Sequence, residues 1–170
     1  QQRTAKVLGK AGISVGGRMI DRWWAKALGA PEPAPQAWLN AAEALKCALS
    51  ETTSAQVVLE SEAGPQPLQG SRRELNNVLE AAGLEQLFDG LLNEVEAAAR
   101  RAGESLDSID AVMAVGGGSA LPWVQQWLQS RLPKTELLVK QPLQAVVLGA
   151  LAMTPALQVM DVLQHGISLR

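Results

Sequence analysis

The stretch from Asp110 to Leu128 limits the fold more than any other part of the chain. It opens with Asp110-Ala-Val-Met-Ala-Val115, a short Val-rich run of the kind that forms a strand buried on both faces. Gly116-Gly117-Gly118 follows, allowing backbone angles that a side chain would forbid. Ser119 is then placed to cap a helix with Pro122 in its first turn, where a missing N–H costs nothing. Leu121, Val124, Trp127 and Leu128 recur at helical spacing, so that helix lays one face on a core. A strand, a glycine turn and a helix start bring free backbone N–H groups together, where phosphate or ribose oxygens can be met. The same residues equally suit a tight connection that binds nothing, because three glycines are a weak motif.

The rest of the chain surrounds that unit with helices and one hairpin. Ala5-Lys-Val-Leu-Gly9 suggests the tail of a strand, and Gly16-Gly17 opens a helix carrying Ile20, Trp23, Trp24, Ala27 and Leu28. Gly29 and Pro31 stop it, and the adjacent tryptophans are expected to pack in the core. After the stiff segment Pro31–Pro35, an Ala-rich helix is expected over 36–49, with Trp38, Leu39, Ala42, Leu45 and Leu49 on one stripe. Residues 55–61 read as a strand, 63–65 as a turn and 66–69 as a short return strand, with Pro67 on an edge. Ser71-Arg-Arg-Glu74 is a capping box, and two amphipathic helices follow, broken at Gly83 and closed by Arg100-Arg101 before Gly103. A strand over 136–139, an apolar helix over 143–153 and an extended segment from Val159 onward complete a mixed α/β order.

Composition removes several function classes. The 170 residues are 47% hydrophobic and 19% charged, which is the make-up of a globular chain. The net charge of −2 and scattered basic residues argue against nucleic acid as a partner. No apolar run reaches membrane-spanning length and no signal peptide opens the chain, so no membrane partner is expected. Cys47 and His165 are single, which leaves no metal set, no disulfide and no Cys/His nucleophile, and points to a reducing, cytoplasmic compartment. Ser119 has no histidine to activate it, so no catalytic residue is expected. Because the first residue is Gln1, the sequence is expected to be an excerpt or a processed piece.

Among polar groupings, Glu43, Lys46 and Ser50 line up on one helix face. They form either an ordinary surface pair of little energetic weight or a hydrogen-bonding edge for a polar ligand.

Several stretches, in order, resemble lobe II of the nucleotide-binding domain of the seventy-kilodalton heat-shock chaperones, in the actin-like ATPase superfamily. Gly16-Gly17-Arg-Met-Ile-Asp21 looks like the family's Gly-Gly-Glu-Asp-Phe-Asp, and Glu43-Ala-Leu-Lys46-Cys-Ala-Leu-Ser50 looks like its Glu-x-x-Lys-x-x-Leu-Ser helix. Gly70-Ser71-Arg72, Val115 through Pro122, Pro142 to Ala150 and Asp161-Val162-Leu163 match further family segments. The resemblance implies an α/β fragment of an actin-like, ribonuclease H-like ATPase domain, a mixed sheet with flanking helices plus a smaller helix-and-hairpin subdomain. It implies an entry strand and Gly-Gly helix over 1–30, the smaller subdomain over 31–83, a βαβα part over 84–155 and an interdomain linker over 156–170. Glu43, Lys46 and Ser50 would face adenosine, while Gly17, Gly116 and Gly117 would approach the nucleotide through their backbones. ATP or ADP with magnesium in the intact protein is the implied cofactor. Unfolded or peptide clients bound by a substrate-binding domain, and co-chaperones, are the implied partners in protein folding and the stress response.

This chain departs from the family at four positions. Cys47 and Ala120 stand where the family stacks adenine between two arginines, Arg18 replaces an acidic residue, and Leu143 replaces an aspartate. The family's two phosphate loops and its catalytic lysine would belong upstream of Gln1, so this piece alone is expected to hydrolyse nothing. Two other readings stay open: the C-terminal lobe of another actin-like protein such as a sugar kinase, and a pseudo-ATPase lobe kept as an interaction module. An exposed Trp23 or Trp123 patch would favour the last.

Overall fold

A computed structural model describes residues 3–61, 64–139 and 157–160, and divides the chain into two compact units, each assembled from separate stretches. One holds residues 1–13, 86–116 and 128–170, and the other holds residues 14–85 and 117–127. The described residues form five α-helices and three two-stranded ladders, so the mixed α/β order read from the sequence is the observed one.

The unit built on residues 14–85 starts with α1 (Gly17–Ala27), whose buried side chains are Ile20, Asp21, Trp24 and Ala25. Its end is a Schellman motif: the Ala30 N–H donates to the Ala25 carbonyl at 3.0 Å and the Gly29 N–H to Lys26 at 3.1 Å. That closure needs a left-handed residue, and Gly29 supplies it at φ +98°. After the proline segment comes α2 (Gln36–Glu51), two residues longer than the sequence pattern indicates, with Ala41, Ala42, Leu45 and Leu49 buried. It packs against α1 on one side and on the other against β2 (Ser54–Ser61), which pairs antiparallel with β3 (Gly64–Ser71). The hairpin is longer than expected, because pairing runs the full length from Ser54↔Ser71 to Ser61↔Gly64. Pro67 sits opposite Val58 in this two-stranded ribbon, where both strands are edges.

The capping box at the start of α3 (Arg72–Ala81) is present in full. The Glu74 N–H donates to the Ser71 hydroxyl at 3.3 Å, and the Ser71 N–H donates to the Glu74 carboxylate at 2.8 Å. Arg72, the next residue, reaches back to α2: its Nε donates to the Leu49 carbonyl at 2.9 Å and its Nη2 to the Ser50 carbonyl at 3.4 Å. One short segment therefore closes the start of one helix and the end of another. Leu75 and Leu79 of α3, Leu59 of β2 and Leu45 of α2 complete the core of this unit around Trp24, which is 2% exposed.

In the other unit, β4 (Ala111–Met113) pairs in parallel with β5 (Glu136–Leu138), and β1 (Arg3–Lys6) pairs in parallel with β6 (Leu157–Met160). Parallel neighbours need a long crossover, and residues 114–135 supply it for β4 and β5. Helix α4 (Leu84–Arg101) crosses the division after its first two residues and ends at Gly103 in the same Schellman closure as α1. The helix expected over 143–153 lies outside the described residues, and of the linker expected over 156–170 only 157–160 are described, where they form β6.

Two expectations for the glycine stretch are corrected. The strand is not buried on both faces: Met113 is 67% exposed and Val115 48%, and among the described residues β5 is the one strand paired with it. Nor is Ser119 the residue next before the helix. Residues 117–120 close into a 3₁₀ turn, α5 (Pro122–Arg131) begins at Pro122, and Leu121 takes the position before it. The Leu121 carbonyl accepts from Val124 and Gln125, while Ser119 is buried and its carbonyl accepts from the Gln125 side chain at 3.0 Å. Pro122 occupies the first helical position, as its missing N–H allows.

Candidate functional site

Helices α1 and α2 meet along a seam of mostly small and apolar side chains, and one charged pair is sealed into it. The Lys46 ammonium on α2 donates to Oδ1 of Asp21 on α1 at 2.6 Å, with the two side chains 12% and 7% exposed. Burial pushes the Asp21 carboxyl above its ordinary value; the Lys46 hydrogen bond and charge pull it back, and the nearby Glu43 carboxylate adds to the rise. Gly17 lies directly beside the ammonium, since a Cβ built on it would stand 3.5 Å from Lys46 Nζ.

Helical periodicity places Glu43 and Ser50 on the same face of α2 as Lys46, one turn to either side. Glu43 is exposed. Ser50 is half-buried, and its hydroxyl donates weakly to the Lys46 carbonyl at 3.3 Å. Four of the six residues named from the sequence, Gly17, Glu43, Lys46 and Ser50, thus belong to one neighbourhood in one unit. Gly117, in the same unit, opens the 3₁₀ turn before α5, and Gly116 belongs to the other unit, where it follows β4 at φ +86°.

The sequence reading missed Asp21 as a site residue. Its signal was available: a carboxylate on the buried stripe between Ile20 and Trp24, one turn after Gly17, requires a partner that the helix itself does not provide. The partner lies 25 residues away and only the tertiary packing identifies it.

Two clefts open along α1 and α2, and the first takes in Asp21. One of about 320 Å³ is lined by Arg18, Asp21 and Arg22 from α1 and by Gln36, Asn40 and Glu43 from α2. The other, about 470 Å³ and more apolar, is lined by Met19, Trp23 and Leu39 together with Pro31 and Pro33. Trp23 is half-buried there, whereas Trp24 and Trp123 are buried, so no contiguous tryptophan patch forms. Cys47 is exposed on α2 and Ala120 half-buried at the end of the 3₁₀ turn. Among the described residues no helix is long and apolar enough to cross a membrane.

The neighbourhood offers ammonium and backbone N–H donors, carboxylate acceptors and one hydroxyl, with Asp21 and Glu43 lining the smaller cleft. That set suits a polar ligand rich in hydroxyl groups. Comparison with known proteins adds a family. Residues 30–165 match the model of the family described as Hsp70 protein. A chaperone protein dnaK1 of Prochlorococcus marinus strain MIT 9313 is 43% identical over 60 residues, covering 35% of this chain and 8% of that protein. A second chaperone protein dnaK1, from strain SARG of the same species, is 39% identical over 64 residues, covering 38% of this chain and 10% of that protein. The matched stretch is thus about a tenth of either relative's length.

Proposed function

The chain belongs to the Hsp70 family, and from that premise we propose that it forms an ATP-binding lobe of a heat-shock-type chaperone with an actin-like fold. The observation that carries the reading is the placement of Lys46: its ammonium is fixed beside Gly17, on a helix face that also presents Glu43 and Ser50. One of its three N–H groups goes to Asp21, leaving two for a ligand, and Glu43 supplies acceptors for ligand hydroxyls. These groups fit the nucleoside part of ATP or ADP. Magnesium would travel with the phosphates, which take no partner from this stripe. Gly116 and Gly117 would bring backbone N–H groups to the nucleotide.

In the full natural polypeptide, ATP would favour a closed arrangement of this lobe around the nucleotide, and that closure would govern the holding of peptide clients and the response to co-chaperones. The boundaries over 1–30, 31–83, 84–155 and 156–170 belong to the same reading. Family membership removes the sugar-kinase alternative. The non-hydrolysing alternative keeps one specific support: Cys47 and Ala120 cannot stack on adenine as arginines do, a loss of about 0.5–2 kcal/mol of affinity for each contact.

Calorimetric titration of the full natural polypeptide with ADP and magnesium tests the proposal, beside Glu43→Ala and Lys46→Ala. Glu43 is exposed, so its variant leaves the buried pair intact. Binding in the micromolar range that both substitutions weaken about tenfold supports the reading. Absence of binding in the unsubstituted protein overturns it. Binding without steady-state phosphate release selects the non-hydrolysing alternative.

A further inference from the structure

We propose that Asp21 is a positioning residue for Lys46: the aspartate holds the ammonium over Gly17 in the orientation a ligand meets, and its protonation releases it. The inference rests on the nucleotide reading for the ligand's identity and on geometry for the rest. A lysine carries its charge on a flexible four-carbon stem and, left alone, samples many rotamers. Here the stem crosses the seam between α1 and α2 and ends on a carboxylate 2.6 Å away, with both side chains almost fully enclosed. The Asp21 position repeats Gly17 one helical turn later, so one face of α1 supplies both the anchor for the ammonium and the open backbone beside it.

The pairing depends on the charge of Asp21. The groups facing that carboxyl are Lys46 and Glu43 from α2, with Arg18 and Arg22 of its own helix and Gln36 and Asn40 of α2 lining the same cleft. Burial and the Glu43 charge favour the protonated form, and Lys46 opposes them. The balance leaves Asp21 taking up a proton at higher pH than an ordinary aspartate. As it does so, Lys46 loses its charged anchor. As pH falls, the ammonium therefore loosens before an ordinary aspartate would take up its proton.

Two measurements test this together on the full natural polypeptide. The first is the Lys46 side-chain ammonium resonance in nitrogen-labelled protein across a pH series, with Asp21→Asn beside the unsubstituted protein. Asparagine keeps the shape of the side chain and removes its charge. The expected result is a slowly exchanging ammonium signal that fades as pH falls in the unsubstituted protein and is lost at neutral pH in Asp21→Asn. A signal indifferent to the substitution overturns the proposal, whatever the ligand result. The second is ADP–magnesium affinity for Asp21→Asn, Lys46→Met and the double variant. Action through Lys46 predicts that Asp21→Asn weakens binding about tenfold alone and adds nothing on top of Lys46→Met. An equal loss in both backgrounds means a general structural role and overturns the positioning role. If the unsubstituted protein binds no ADP, the nucleotide reading falls, and the ammonium signal alone decides the part of Asp21.

Discussion

Asp21 and Glu74 are both carboxylates, yet their surroundings push them in opposite directions. Burial raises Asp21 above its ordinary value of 3.8, whereas hydrogen bonds from the Ser71 hydroxyl and N–H lower the exposed Glu74 below 4.5. Their linkage to folding is opposite too. The folded protein holds a proton on Asp21 more tightly than the unfolded chain does, so the stabilising contribution of that proton is complete below 3.8 and is lost as pH rises through the raised folded value. The Glu74 contribution is present above 4.5 and is lost as pH falls through its lowered value. Asp21→Asn should therefore remove a fall in stability as pH rises between 3.8 and the raised folded value, a change of slope measured by urea midpoints across the acid range. The residue scale also holds a close packing contact in the core of the unit of residues 14–85 and 117–127. A Cβ at Gly70 would stand 2.6 Å from Cζ2 of the buried Trp24 and 3.3 Å from Leu45. Gly70→Ala should destabilise by about 1–3 kcal/mol, read as a lower urea midpoint with an unchanged slope. Neither the Asp21–Lys46 pair nor the Gly70–Trp24 contact was legible in the sequence, because each joins residues more than twenty positions apart.

Elements were legible where a local signal and the burial pattern agreed. The capping box of α3 and the basic end of α4 each carry their own chemistry within a few residues, and each formed as read, while the stripe on α2 formed at Ala42, Leu45 and Leu49, with Ala41 buried beside them and Trp38 and Leu39 half-buried. The glycine stretch did not, because three glycines leave the backbone several closures, and the 3₁₀ turn moved the helix start past Ser119 to Pro122. Extension of the hairpin to Gly64 likewise followed from full pairing along β2 rather than from any property of Gln66 or Leu68. The junction at Ser71-Arg72 tests how elements depend on one another. Ser71→Ala removes a cap and should cost about 1 kcal/mol. Arg72→Met leaves the α2 carbonyls of Leu49 and Ser50 without their donor and should cost about 1 kcal/mol as well. Thermal melts of both variants check these values, and amide exchange should locate the first loss in α3 and the second in the last turn of α2.

At the scale of the whole chain, the two units are interleaved in sequence. The unit containing Asp21 and Lys46 needs residues 117–127 as well as 14–85, and the other draws on three separate stretches. Sequence reading alone could not find this division where it falls inside α4 and α5, because a boundary inside a continuous helix carries no linker and no change of composition. Both α4 and α5 run across it without a break in their ladders. A helix loses its terminal turns cheaply but loses its middle only by breaking several hydrogen bonds together, so unfolding on one side of the division should propagate into the other. The tryptophans make this measurable: all five, Trp23, Trp24, Trp38, Trp123 and Trp127, lie in the unit of residues 14–85 and 117–127. Fluorescence therefore follows that unit alone, while far-ultraviolet circular dichroism follows the helices of both. The expected outcome is one urea transition seen identically by the two probes. A fluorescence change that is complete while part of the helical signal remains would mean that this unit opens by itself, and its pair at Asp21 and Lys46 would then be exposed to solvent while the rest of the chain stays folded.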